Sequence, residues 1–313
     1  TLTLVPDLTI IYGVSVFLFG LCLGSFLNVC IYRLPRGLSV VSPRSACPNC
    51  HAPIAAYDNV PVVSWLLLRA KCRHCKAAIS GRYAAVELLT ALLFLGVFLL
   101  FGLSLATLKF CVFAFLLLGL IFTDAETHLL PDKLTLTGIV LGLLFSLFVP
   151  VDLFAARLLP LFGVMGLANH LSSPLVWFAE SVLGAAVGAS FIYGAGAVYL
   201  RARGVHGMGF GDVKLMAMVG AFLGIKLTVF VIFAGSLLGS IFGISTMLVV
   251  WWKRMERRMR IGREPAAVAR RRAWQSAMLV YRHFQVPFGV FLGSMALVAI
   301  FLGDRVMGWY LGF

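Results

Sequence analysis

Acidic residues are scarce in this chain: Asp and Glu number 12, against 26 Lys and Arg, among 313 residues. Charge of either sign is thin at 12%, about half of what a soluble domain carries, while hydrophobic residues reach 61%. No water-soluble core can hide that much apolar surface, so most of the chain is expected in lipid. Apolar and polar residues do not alternate along the apolar runs, which excludes a membrane β-barrel. No repeat of 20 to 50 residues and no low-complexity tract is present, which argues against a solenoid or a disordered chain. Thr1 to Leu8 holds no Lys or Arg, and no small-residue cleavage site closes the run that follows. The first segment therefore reads as a retained helix rather than a secretion signal.

What is present is a series of apolar runs. A bilayer core about 30 Å thick needs about 20 apolar residues per helix. Roughly eight such runs, some short, fall near 9–32, 83–102, 106–123, 134–150, 176–200, 211–224, 227–252 and 284–303. Only Gly224-Ile225-Lys226 separates the sixth from the seventh. The expected fold is an all-α polytopic membrane protein of about eight transmembrane helices. A first helix (1–32) is followed by a cytoplasmic insertion (33–82) and a polytopic domain (83–313).

The net charge of +14 suggests nucleic acid in a soluble protein, but its placement gives a simpler account. With the N-terminus outside, 22 of the 26 Lys and Arg fall on one side, leaving Lys109, Arg157, Lys226 and Arg305. The positive-inside rule makes that side cytoplasmic, in a bacterial inner membrane, and no nucleic-acid partner is needed. The basic stretch 253–283 reads as a solvated or headgroup-facing linker, with membrane lipid as its partner. No chemistry is assigned to 151–174.

Seven cysteines are present, and four form two C-x-x-C pairs: Cys47 with Cys50, and Cys72 with Cys75, 21 residues apart. Two short knuckles of this spacing can each turn a pair of thiolates toward one tetrahedral zinc ion. A reducing cytoplasmic location disfavours disulfides, and four thiolates leave no open position for water, so the expected role is structural. His51 and His74 become superfluous as ligands. Cys22, Cys30 and Cys111 lie in apolar runs and read as packing residues.

An acid within or at the edge of a membrane helix is costly enough to be a functional hypothesis by default. Asp124 ends the third run and Asp212 opens the sixth, at the same membrane face although 88 positions apart. Two adjacent carboxylates that share one proton supply a base and an acid together, which is what peptide hydrolysis by water requires. Gly207, Gly209 and Gly211 would let backbone and substrate approach Asp212. Asp212 could instead cap its helix or pair with Lys214. Asp132, after Pro131, reads as a helix cap. Glu126 reads as substrate-facing or solvated, and Glu87 as a partner for Arg82 or for a cationic group. Together Glu126, Asp132 and Glu87 could form a local acidic patch. Glu180 falls on the outer half of its helix, away from the site.

These segments resemble the bacterial prepilin peptidases, GxGD-type aspartyl proteases of type IV pilus and type II secretion systems. The resemblance is carried by GSFLNVCIYRLP at 24–35, CPNC, DNVPVVSWLLLRAKCRHC, ISGRYAAVELLTALLF, DAETHLLPDKLT, GMGFGDVKLMAMVGAFLG and QVPFGVFLG, in that order. It implies catalysis by Asp124 and Asp212, with type IV prepilins or pseudopilins as substrates. It also implies cleavage of a short basic leader after glycine, and methylation of the new N-terminus with S-adenosylmethionine as co-substrate. Family members commonly read R-G-x-C before the second cysteine pair, where this chain has Ala70; the departure bears on methylation more than on proteolysis. Competing readings are a peptidase without methylation, a non-enzymatic membrane scaffold built on the zinc loop, and an ion-coupled transporter. The last is disfavoured because both aspartates sit at one membrane edge and no inverted repeat is visible.

Overall fold

A computed structural model describes residues 6–151, 173–204, 209–262, 265–281 and 287–311. The segment 152–172 and Gly207, to which expectations were attached above, lie outside the described residues. Nine α-helices are described: α1 (Pro6–Arg33), α2 (Val63–Leu67), α3 (Arg82–Phe101), α4 (Leu105–Thr127), α5 (Asp132–Ser146), α6 (Ser173–Arg203), α7 (Phe210–Arg260), α8 (Ala266–Tyr281) and α9 (Phe288–Leu311). Two 3₁₀ turns accompany them, and the described residues contain isolated β-bridges but no β-strand.

Five helices are long and apolar enough to cross a membrane, counting α7 once, and α9 contains a shorter apolar helix, Phe288–Gly303. The protein is a multi-pass membrane protein. Local chemistry fixes where its helices stop. The Ser104 side chain caps α4 by accepting from the Thr107 N–H, and Gly102 ends α3 with φ 62°. At the other end of α4, His128 turns left-handed (φ 53°) and donates its N–H to the Asp124 carbonyl at 3.0 Å. That αL cap closes the helix just past its carboxylate.

The weak boundary between the sixth and seventh runs resolves at one residue. Within α7 only Gly224 departs from helical geometry, at φ 76° and ψ −176°, which suits a residue without a Cβ. A Cβ placed on Gly188 of α6 would lie 2.4 Å from the Met216 carbonyl oxygen and 3.0 Å from Thr228 Cγ2. Those two residues would be about 18 Å apart along a straight helix. The chain therefore reverses at Gly224, and α7 is two antiparallel limbs, 210–223 and 225–260. Counting the limbs separately, the apolar helices α1, α3, α4, α5, α6, α7 (two) and α9 account for the eight runs of the sequence.

The first limb is the centre of the core. Phe222 stacks on Phe113 of α4 with ring centroids 4.5 Å apart, and Met216, Met218 and Val219 are fully buried beside Leu117 and Leu120. Because lipid is as apolar as leucine, close backbone approach and dispersion hold such helices together. Gly184 and Gly220 meet without side chains between α6 and this limb.

The second limb corrects the reading of 253–283 as a linker. Its helix continues through the basic residues to Arg260, and Ala266–Tyr281 folds back on it as α8. Ala269, Ala273 and Ala277 are buried, and Trp251 meets Trp274 edge to face at 5.9 Å. Small residues every four positions give α8 a face that lies flat on α7. Cys30 and Cys111 are buried as packing residues, whereas Cys22 is exposed.

Candidate active site

Asp124 and Asp212 are built into helix ends that meet. Asp124 lies one turn before the end of α4 and is 5% exposed; Asp212 lies in the first turn of α7 and is 8% exposed. The structure brings them to one place: Gly211, beside Asp212, and Gly289, which lies against the Asp124 carboxylate, both pack on the Leu130 side chain. Asp124 Oδ2 accepts the Val290 N–H at 2.9 Å, and Gly289 lies directly against the same carboxylate. The Val290 amide belongs to the first turn of α9, where backbone donors lack helical partners and favour an anion. The Asp212 N–H donates to the Gly209 carbonyl at 3.1 Å, which fixes the start of its helix.

The bland roles considered for these acids give way to other geometry. Gly209 is the N-cap of α7, no side chain caps that helix, and Lys214 pairs with Asp132 at 2.6 Å rather than with Asp212. Asp132 likewise does not cap α5: Pro131 holds the cap position, and the carboxylate reaches across to α7. Glu126 is not a free substrate-facing acid, because Arg82 of α3 donates to it. Glu87 in turn does not pair with Arg82. It is 8% exposed, and its Oε2 accepts the Val62 N–H at 2.7 Å. The local acidic patch expected from Glu126, Asp132 and Glu87 is thus consumed by partners, since each acid sits where another helix end or loop supplies a donor.

Those partners have a pattern. Glu126 follows Asp124 by two positions and Lys214 follows Asp212 by two, so each carboxylate has an ion pair just beyond it that ties its helix to a neighbour. Exposed pairs contribute only about 0.2–1 kcal/mol each, so their value here is in orientation. Leu130 completes the support. It packs against both Gly211 and Gly289, such that a Cβ on either would fall 3.0 or 3.3 Å from its side chain.

Sequence reasoning did not single out Leu130, Gly289 or Val290. The available signals were an apolar residue inside a polar inter-helix loop, and a Pro-Phe-Gly opening of the last helix. A Cβ on Gly289 would lie 2.9 Å from Asp124 Oδ2. Gly289→Ala is therefore expected to displace the carboxylate and lower the site's activity by about a hundredfold, while the thermal melting point of the purified protein changes little.

The insertion between α1 and α3 gathers Cys47, Cys50, Cys72 and Cys75, with every sulfur within 4.8 Å of the others. The Cys47–Cys75 and Cys50–Cys72 separations are 3.8 and 4.0 Å. Metal–sulfur bonds of about 2.3 Å in a tetrahedron give edges of about 3.8 Å, whereas a disulfide needs about 2.05 Å. The cluster can hold a metal ion.

Its two knuckles repeat one geometry. Cys47 and Cys72 donate their N–H to Ala52 and Ala77 at 3.0 and 2.9 Å, and His51 and Lys76 turn left-handed at φ 57° and 58°. The Ala77 amide and then the Asn49 side chain hold the Cys75 thiol down to about 6, and the Cys50 and Asn49 amides lower Cys47. Ala70 does occupy a special backbone position, at φ 55°, beside Arg69 at 50°. An alanine there costs about 1 kcal/mol relative to glycine, yet the turn is retained. Asp58, bonded in fork fashion by Arg73 at 2.6 and 2.7 Å, is held below its usual carboxylate range by that hydrogen bond.

The insertion and the dyad share one end of the molecule, because Arg82, directly after the insertion, reaches Glu126 beside Asp124. Asn28 Nδ2 of α1 donates to the Tyr83 carbonyl at 3.0 Å, and the Glu87–Val62 bond docks the insertion on α3. Val62 is held at φ 60°, a strained conformation for a β-branched residue.

The chain is similar to known proteins along most of its length. Residues 18–101 match the model of the bacterial peptidase A24 N-terminal domain, and residues 110–244 match that of the type IV leader peptidase family. The chain is 34% identical to a prepilin leader peptidase/N-methyltransferase of Aeromonas salmonicida (strain A449), over 99% of this chain and 97% of that protein. Proteins of the same name from Neisseria gonorrhoeae and Bacillus subtilis (strain 168) are 38% and 35% identical, covering 72% and 74% of this chain and 79% and 82% of theirs. No solved structure matches the chain. The Gly289 and Val290 amides lie beyond the residues matched by either family model.

Proposed function

The chain belongs to the type IV leader peptidase family, and from that premise we propose that it removes the leader of type IV prepilins or pseudopilins with Asp124 and Asp212 as its catalytic dyad. The observation that carries this reading is the convergence of two buried carboxylates from different helix ends, one of them anchored by the Val290 main-chain amide. A pair that holds a single proton delivers both transfers that hydrolysis needs. One carboxylate takes a proton from water as its oxygen adds to the scissile carbonyl. The other protonates the departing amine as the C–N bond breaks.

The same reading includes N-methylation, the activity named in the relatives. The freed amine takes the methyl group of S-adenosylmethionine, the sulfonium becomes a thioether, and one proton is lost from the nitrogen. The four cysteines would hold zinc as a structural ion. The site faces the cytoplasm of a bacterial inner membrane, with the N-terminus outside, because the basic residues concentrate at the end that carries the dyad. A basic leader and S-adenosylmethionine both reside on that side.

Mass spectrometry of a co-expressed pilin tests both steps together. The expected product lacks its leader and carries one extra methyl group on its new N-terminus. A shortened but unmethylated pilin would reduce the assignment to a peptidase, and an intact precursor would leave a non-enzymatic scaffold.

A further inference from the structure

The helical hairpin of α7 and α8 has no part in the chemistry above, and it holds a cleft of about 490 Å³ lined by Trp251, Ala267, Arg270, Arg271 and Trp274. Its chemistry is unusual for a surface hollow, with two indoles forming the walls and two guanidinium groups beside them. The Trp251 ring is held on two sides, since its Nε1–H donates to the Arg270 carbonyl at 3.3 Å and it meets Trp274 at nearly a right angle. Arg270 and Arg271 are exposed, so their guanidinium groups remain available to a ligand.

The level of the cleft identifies the ligand. From the reversal at Gly224, residue 251 is about 39 Å along the second limb. That limb stays apolar as far as Trp252 and turns basic at Lys253 and Arg254, so Trp251 stands where the helix leaves the hydrocarbon core for the headgroup layer. The side chains agree with that level. On the membrane side, Leu248, Val249, Met278 and Leu279 are exposed by 43, 51, 45 and 60%. On the far side come Lys253, Arg254, Arg257 and Arg260. Tryptophan is enriched at such a boundary, where an apolar ring and a polar N–H meet both media.

We propose that this cleft binds the phosphate of an anionic phospholipid from the leaflet at the dyad's end of the protein. Arg270 and Arg271 take the phosphate oxygens, a geometry that guanidinium matches with paired donors. The indoles of Trp251 and Trp274 cover the glycerol region, and the acyl chains run down the apolar residues toward Leu248 and Met278. A freely dissolved anion would have no use for that apolar rim. The bound lipid would tie α8 to the membrane plane and fix the upright hairpin relative to the bundle. This site is independent of the peptidase chemistry and stands or falls separately from it.

The test uses the full-length protein purified in detergent, mixed with phosphatidylglycerol or phosphatidylcholine, with retained lipid counted by native mass spectrometry. Phosphatidylglycerol is expected to be retained in preference to phosphatidylcholine. The R270A/R271A double variant is expected to lose retention about tenfold or more, as for loss of charge-assisted bonds. R257A, altered outside the cleft, is expected to retain lipid as the unaltered protein does, and R270K/R271K to recover part of the loss. Equal retention of the two lipids, or undiminished retention by R270A/R271A, would overturn the site. Displacement of phosphatidylglycerol by equimolar inorganic phosphate would overturn the lipid as its ligand.

Discussion

Substituting Asn for Asp124 or for Asp212 is expected to lower leader removal by about a thousandfold or more, measured as conversion of a prepilin in membranes carrying each variant. Asparagine keeps the size of the side chain, and at 124 its carbonyl oxygen can still accept the Val290 N–H that now reaches Oδ2 at 2.9 Å. The helix ends therefore stay in place, and the melting temperature is expected to change little. What each variant removes is a group able to exchange a proton. A dyad works as a unit, so the double variant is expected to be no worse than the single ones by more than a small factor. Near-normal cleavage by either single variant would sink the assignment. The ion pairs flanking the dyad provide a graded comparison: Lys214→Met breaks the bond to Asp132 yet leaves both carboxylates, and a loss well short of that in the Asn variants is expected.

Removal of the metal is expected to open the insertion and leave the membrane bundle folded. The purified protein is expected to carry about one zinc per chain, and Cys47→Ser with Cys72→Ser to carry almost none. In the variant, protease is expected to cut within 44–80 at rates at least tenfold higher, because structural zinc contributes folding free energy to the segment it closes. Few other forces hold this segment. It contains the exposed Arg73–Asp58 pair, the half-buried indole bond from Trp65 to Ile79 and a pair of isolated bridges, with little apolar burial around them. The bundle is different in kind, with its own core of Leu117, Leu120, Phe113 and Phe222, distant in sequence from the cysteines. Unchanged protease resistance after chelation would show that the four sulfurs do not hold a structural ion. Global unfolding would show that the insertion is not an independent unit.

Much of the arrangement was legible in the residues because lipid is an exacting solvent. A chain cannot cross it without about 20 apolar residues in a run, so the helices announce themselves, and any acid left among them stands out. Asp124 and Asp212 were visible on that ground. The cysteine pairs were visible because a tetrahedral ion permits few spacings. The reversal at Gly224 was harder to read, since Gly-Ile-Lys is too short for an ordinary loop and one residue at φ 76° performs the turn. The basic stretch misled because charge alone does not distinguish a solvated linker from a helix, and only the buried alanines of α8 against α7 decide between them.

The partners of the remaining acids show the same division. Residue types and their spacing were enough to say which runs suit a membrane, which four sulfurs could meet and which two carboxylates were costly enough to need a purpose. It took the packed helices to show that Glu126 answers to Arg82, Asp132 to Lys214 and Glu87 to the Val62 amide, and that α9 lends the Val290 amide to Asp124. The physical reason is range. Burial and metal geometry act through residue type and local spacing, whereas a hydrogen bond acts over about 3 Å, so its partner is known only once distant helix ends have been packed together.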